Sequence, residues 1–136
     1  MTYFSPLRAI LTLCTALSLS AALPAASAYA ADDTMTFTVK TASDSTVISG
    51  VSAYKKGDYQ KAVSIMRVSL KSSLSSRRAA LVQSNLCAAY GELGEMDKAQ
   101  AACSAALELR PDYAPALSNK AALTTRLALN LDEEPS

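Results

Sequence analysis

The sequence contains neither histidine nor tryptophan among its 136 residues. Without histidine, the chain lacks the commonest general base and metal ligand, and neither a Ser–His nor a Cys–His nucleophile can form. The sequence also has no glycine-rich phosphate loop, and its cysteines lack the partners that a zinc site needs. We therefore expect no enzymatic activity, no cofactor and no metal site.

The chain also lacks a strong charge of either sign, since 13 Lys and Arg residues stand against 12 Asp and Glu residues. This balance gives no strong field for attracting nucleic acid, and we expect no nucleic-acid partner. Cations nevertheless outnumber the single acidic residue Asp58 between residues 55 and 78. That stretch is either a solvated helix face or a basic stripe for an acidic partner or anionic lipid.

The first thirty residues are typical of a secretory signal peptide. Arg8 precedes an apolar run at residues 9–23, and Pro24 follows it. Ala28 and Ala30 supply the small side chains that signal peptidase requires. The run is shorter than the roughly 20 residues that span a bilayer as a helix, which favours cleavage after Ala30 over a retained membrane anchor. We predict a periplasmic or secreted mature chain with no integral membrane span.

Residues 31–42 form a leader in which Met35, Phe37 and Val39 alternate with threonines. Alternation of this kind is typical of a strand, and threonine and valine favour extended backbone. A lone strand has no strand partner in a helical domain. The leader is therefore either loosely ordered, as terminal segments often are, or an extended arm that packs its apolar face on a groove, its own or a partner's.

From residue 43 to residue 131, apolar side chains recur at helical spacing. In the clearest stretch, Leu86 to Pro111, Gly94 separates two amphipathic patterns, because glycine enters left-handed turns without steric cost. Pro111 cannot continue the second helix. Helices are expected to start near Ser43 or Asp44, near Asp58, at Arg77 or Arg78, near Met96 and at Ala114, with an acidic tail at 132–136.

This stretch resembles a known repeat. Six residues stand at the spacings of the tetratricopeptide repeat, a 34-residue pair of helices: Leu86, Tyr90, Gly94, Ala99, Ala106 and Pro111. A weaker copy, around Gly57, lies upstream, with extra length in the serine-rich link at 71–77. The resemblance implies an all-α fold, a short α-solenoid of antiparallel helix pairs. Two repeats and a C-terminal capping helix would fill residues 43–131.

Cys87 and Cys103 replace a glycine and an aromatic residue of the repeat pattern. They lie at equal distances from a turn at Glu95, so two antiparallel helices place them opposite one another, and both positions face the inter-helix interface in the repeat family. Disulfides persist in the compartment that export implies. We predict a disulfide between them; the alternative is two buried free thiols that pack as small hydrophobic residues.

Tetratricopeptide arrays bind extended peptides or partner helices on the concave surface that the first helix of each unit forms. By position, the resemblance implies that this groove is lined by Tyr54, Lys55, Asn85, Glu92, Asn119 and Arg126. Asn85 matches an amide with which chaperone-binding members hold a C-terminal carboxylate. Val47 and Val51 stand where those members have further polar residues, so capture of a carboxylate is not expected.

The predicted function is that of a small exported scaffold or adaptor without enzymatic activity, which binds a protein or peptide segment in this groove. The alternative is a structural protein that associates with copies of itself, or an accessory subunit of a cell-envelope complex. An unfinished end of a helical array can stack on another copy, so an oligomer is compatible with either interpretation.

Overall fold

The structure, a computed structural model, describes residues 36–132. Within this range the regular elements are helices alone, which confirms the all-α fold class. The predicted signal peptide at 1–30, the start of the leader and residues 133–136 lie outside the described residues. The helices are α1 (Ser45–Lys55), α2 (Tyr59–Leu70), α3 (Ser76–Glu92), α4 (Met96–Leu109) and α5 (Ala114–Asp132), the last of which includes the first residue of the predicted tail.

Side-chain caps define where the first three helices begin. The Asp44 carboxylate accepts hydrogen bonds from the backbone N–H groups of Thr46 and Val47, at 2.9 and 3.2 Å, so Asp44 is the cap of α1. Asp58 caps α2 in the same way. Ser75 caps α3, which therefore begins at Ser76, one or two residues before the predicted start at Arg77 or Arg78.

A glycine with positive φ lies in the turn between α1 and α2, and another lies in the turn between α3 and α4. Gly57 follows α1 with φ of +80°, and Gly94 follows α3 with φ of +74°. A side chain is strained in this region of backbone space, so glycine is the natural residue at both turns. The predicted roles of Gly57 and Gly94 as turn residues are confirmed.

Helix α3 is the centre of the packing. Each helix contacts the next along the chain, and α3 also contacts α1 and α5, so α1, α3 and α5 form one row. Helices α3 and α4 have the most contacts with one another, and small side chains let helices approach closely. The fully buried alanines of these two helices are Ala80, Ala88, Ala89, Ala99 and Ala106. Cys87 and Cys103 are also fully buried and form a disulfide pair between these two helices, with their Cα atoms 5.1 Å apart. The predicted pairing geometry is therefore confirmed.

Across residues 36–132, no helix combines the length and the apolar character that crossing a membrane requires.

Candidate functional site

The row formed by α1, α3 and α5 carries the segment that precedes α1. Residues 36–42, here called the N-terminal arm, cross α5 and α3 without forming a helix or strand. Phe37 is buried and Val39 half-buried, whereas Thr38 and Lys40 are exposed. Of the two alternatives for the leader, the structure has the extended arm, and the groove it packs on is the chain's own. The alternation of buried and exposed residues, which is typical of a strand, arises here because one side of the arm packs on helices and not on a sheet.

Two asparagine side chains hold the backbone of the arm. The backbone N–H of Thr38 donates to Oδ1 of Asn119 at 2.7 Å, and Nδ2 of Asn119 donates to the carbonyl oxygen of Thr38 at 2.9 Å. Asn85 engages Lys40 through the same two bonds, at 2.8 and 2.7 Å. A primary amide has one donor end and one acceptor end, so it matches a peptide unit as a neighbouring strand would. The groove thus binds main chain at every second residue.

The two asparagines differ in their second role. Asn85 and Asn119 are 1% and 0% exposed, so their polar atoms need partners within the protein. Both side-chain bonds of Asn85 go to Lys40. Nδ2 of Asn119 also donates to the carbonyl oxygen of Ser84 at 3.0 Å, which links α5 to α3. Asn119 therefore joins the arm to the helix packing, whereas Asn85 serves the arm alone.

The ring of Phe37 lies in a pocket floored by Gly91. A Cβ atom added to Gly91 would come within 2.8 Å of three carbon atoms of the Phe37 ring, which is closer than packed carbon atoms approach. The guanidinium carbon of Arg126 lies 4.5 Å from the ring centroid, a cation–π distance. Sequence reasoning named Arg126 but missed Gly91. The signal for Gly91 was an isolated glycine inside a helical pattern, which often marks close packing.

A polar network across the three helices of the row fixes Arg126. Its two terminal nitrogens donate to the carbonyl oxygen of Gly91 at 3.1 Å and to Oε2 of Glu92 at 3.0 Å. The hydroxyl of Tyr54 donates to Oε1 of Glu92 at 3.3 Å. Burial, reinforced by the negative charge of Glu92, raises the pKa of the Tyr54 hydroxyl, so this group stays protonated and remains a donor.

The structure thus brings together five of the six residues expected to line the groove. Tyr54, Glu92 and Arg126 form the network, and Asn85 and Asn119 hold the arm. Lys55, in the last turn of α1, is exposed and takes no part in these contacts. Within the described part of the chain, no group of three or more metal-ligating side chains is assembled. The site provides hydrogen bonds to backbone and one pocket for a ring.

No protein-family model, curated protein or solved structure matches this chain. The function must therefore be inferred from the residues of the groove and from the arm that fills it.

Replacing Asn119 by aspartate should lower the free energy of unfolding more than the same change at Asn85. The substitution keeps the side-chain shape but converts Nδ2, a donor to two carbonyl oxygens, into an acceptor. A buried carboxylate facing carbonyl oxygens costs roughly 3 kcal/mol or more. At Asn85 the arm can detach and let water reach the new carboxylate, which limits the loss to roughly 1–2 kcal/mol.

Urea denaturation of Asn119→Asp and Asn85→Asp measures this difference. Ser118→Asp is the matched control, because Ser118 is exposed beside Asn119 on α5 and the substitution introduces the same charge. We expect the control to unfold close to the wild-type midpoint. Equal losses at Asn85 and Asn119 would contradict a separate role for the bond from Asn119 to Ser84.

Proposed function

We propose that this chain is an exported, non-enzymatic binding module whose groove holds extended polypeptide segments. The observation that carries this proposal is the pair of asparagine amides that hold the backbone of Thr38 and Lys40. Backbone recognition of this kind needs an extended segment without proline at the two bonded positions, and it accepts varied side chains there. A segment that meets those requirements would present the same two peptide units to Asn85 and Asn119.

In this proposal, α1–α2 and α3–α4 are two tetratricopeptide-like repeats of a short solenoid, and α5 is the capping helix. Support comes from the glycine turns at residues 57 and 94 and from the row of alternate helices that carries the arm. The signal peptide is removed after Ala30, and the chain acts in the periplasm or outside the cell. The pairing of Cys87 with Cys103 supports a compartment in which disulfides persist.

The function is tested by selecting random heptapeptides against the full chain carrying Lys40→Pro. Proline removes the N–H that donates to Asn85, so this variant loosens the arm, while the control Lys40→Ala keeps that N–H. We expect peptides to be enriched on Lys40→Pro and scarcely on Lys40→Ala. Both side-chain bonds of Asn85 hold the backbone of the segment in the groove. Adding Asn85→Ala should therefore abolish the enrichment. A folded Lys40→Pro variant that enriches no peptide would refute the proposed function.

A further inference from the structure

The pocket around Phe37 is the part of the groove that is shaped for a side chain. The amides of Asn85 and Asn119 bond to backbone atoms, which every residue except proline carries. Phe37, by contrast, is buried to 6% exposure, while its neighbour Thr38 faces solvent. Val39 is only half-buried against the core, so selectivity among extended segments should come mainly from the pocket around Phe37.

Gly91 gives the pocket its depth. Glycine within a helix is less favourable than alanine, and the φ of Gly91, in the last turn of α3, is not among the positive values that require glycine. Its backbone conformation therefore suits alanine well. The space for a Cβ is, however, occupied by the Phe37 ring. The absence of a side chain at Gly91 makes room for the Phe37 ring, whereas the helix itself does not require glycine there.

Arg126 gives the pocket its chemical preference. Its guanidinium is held by the carbonyl oxygen of Gly91 and by Glu92, so it is fixed in place beside the ring. A guanidinium stacked on an aromatic face is attracted by the electrons of the ring, and an aliphatic side chain of similar size offers no such face. The pocket should therefore favour aromatic over aliphatic side chains.

We propose that the groove selects extended segments with an aromatic residue immediately before the residue that Asn119 holds. The arm, in which Phe37 precedes Thr38, is then a resident ligand that an incoming segment must displace. This inference rests on the proposed function and adds the class of its ligand. Because the arm is covalently attached close to the groove, its effective concentration is high, and free peptides bind the intact chain weakly.

The test measures fluorescence anisotropy of a labelled peptide with the sequence of residues 36–42. Its hosts are the full-length Lys40→Pro variant and the Lys40→Ala control. We expect the peptide to bind Lys40→Pro at least tenfold more tightly than the control, because the arm competes less. Peptides whose phenylalanine is replaced by leucine or alanine should bind at least tenfold more weakly.

A second host separates the pocket from the backbone contacts. Adding Gly91→Ala to Lys40→Pro fills the pocket and suits the helix, so this host should lose its preference for the aromatic peptide. If aromatic, leucine and alanine peptides bind Lys40→Pro equally, the ligand class is wrong while the peptide-binding function stands. If no peptide binds either host, this inference and the proposed function both fail. A preference for the aromatic peptide that survives Gly91→Ala would also overturn the assignment of the pocket.

Discussion

Replacing Cys87 and Cys103 together by alanine is expected to lower the free energy of unfolding by roughly 3 kcal/mol. The bond joins residues that are 16 apart in sequence, and closing a loop of about that length removes this much unfolded-chain entropy. For a domain of fewer than 100 residues, such as residues 36–132, the loss corresponds to a fall in melting temperature of roughly 12–24 °C. Thermal unfolding followed by circular dichroism measures it.

A reductant provides the internal control for this expectation. Adding it to the wild-type chain should lower the melting temperature by a similar amount, and adding it to the Cys87→Ala/Cys103→Ala variant should change nothing. Mass spectrometry after alkylation reports whether the thiols are free in each sample. A wild-type chain whose oxidised and reduced forms melt together would show that the bond does not stabilise the fold.

Gly91→Ala is expected to release the N-terminal arm while leaving the helices folded. The new methyl group would overlap the ring of Phe37, which must leave its pocket, and burial of such a side chain contributes roughly 1.5–3 kcal/mol. The backbone amides of Thr38 and Lys40 should therefore exchange with solvent about tenfold faster or more. Amides within α3 should keep their protection, because alanine favours a helix over glycine by about 1 kcal/mol. Hydrogen exchange followed by NMR distinguishes the two regions.

A double-mutant cycle with Phe37→Ala isolates the cause of this effect. Once the ring is absent, the methyl group has nothing to displace, so Gly91→Ala in the Phe37→Ala background should stabilise the chain by about 1 kcal/mol. The sign of the Gly91 substitution thus reverses between the two backgrounds. If Gly91→Ala destabilised both equally, the damage would lie in the helix packing, and the pocket would not explain it.

The helices and the cysteine pairing could be predicted because their signals are local. A capping carboxylate at Asp44 and turn glycines at 57 and 94 each act within a few residues, and their outcome depends little on the rest of the chain. The opposition of Cys87 and Cys103 follows from a single turn between two helices. These features needed no knowledge of distant contacts.

The path of the arm could not be chosen from sequence, because it depends on contacts between distant residues. Alternation at Met35, Phe37 and Val39 fits any apolar groove, on this chain or another. The hydrogen bonds that fix the path of the arm join Lys40 to Asn85 and Thr38 to Asn119, which are 45 and 81 residues apart in sequence. The same holds for Gly91, whose partner Phe37 lies far upstream in the chain. The sequence therefore indicated most of the lining of the groove, but it left open whether the arm packs there.

Recognition of the arm through its backbone has a consequence for how such a protein can diverge. The outward side chains of Thr38 and Lys40 lie outside the bonds that hold the arm, apart from one hydroxyl contact of Thr38 to Asn119 at 3.3 Å. Mutations can accumulate there without altering the docked geometry, provided that proline is avoided. Two chains could therefore share this binding mode while sharing little more than two asparagines, a glycine and an arginine. Related proteins could then keep this way of binding the arm after their sequences have become too different for common ancestry to be detected.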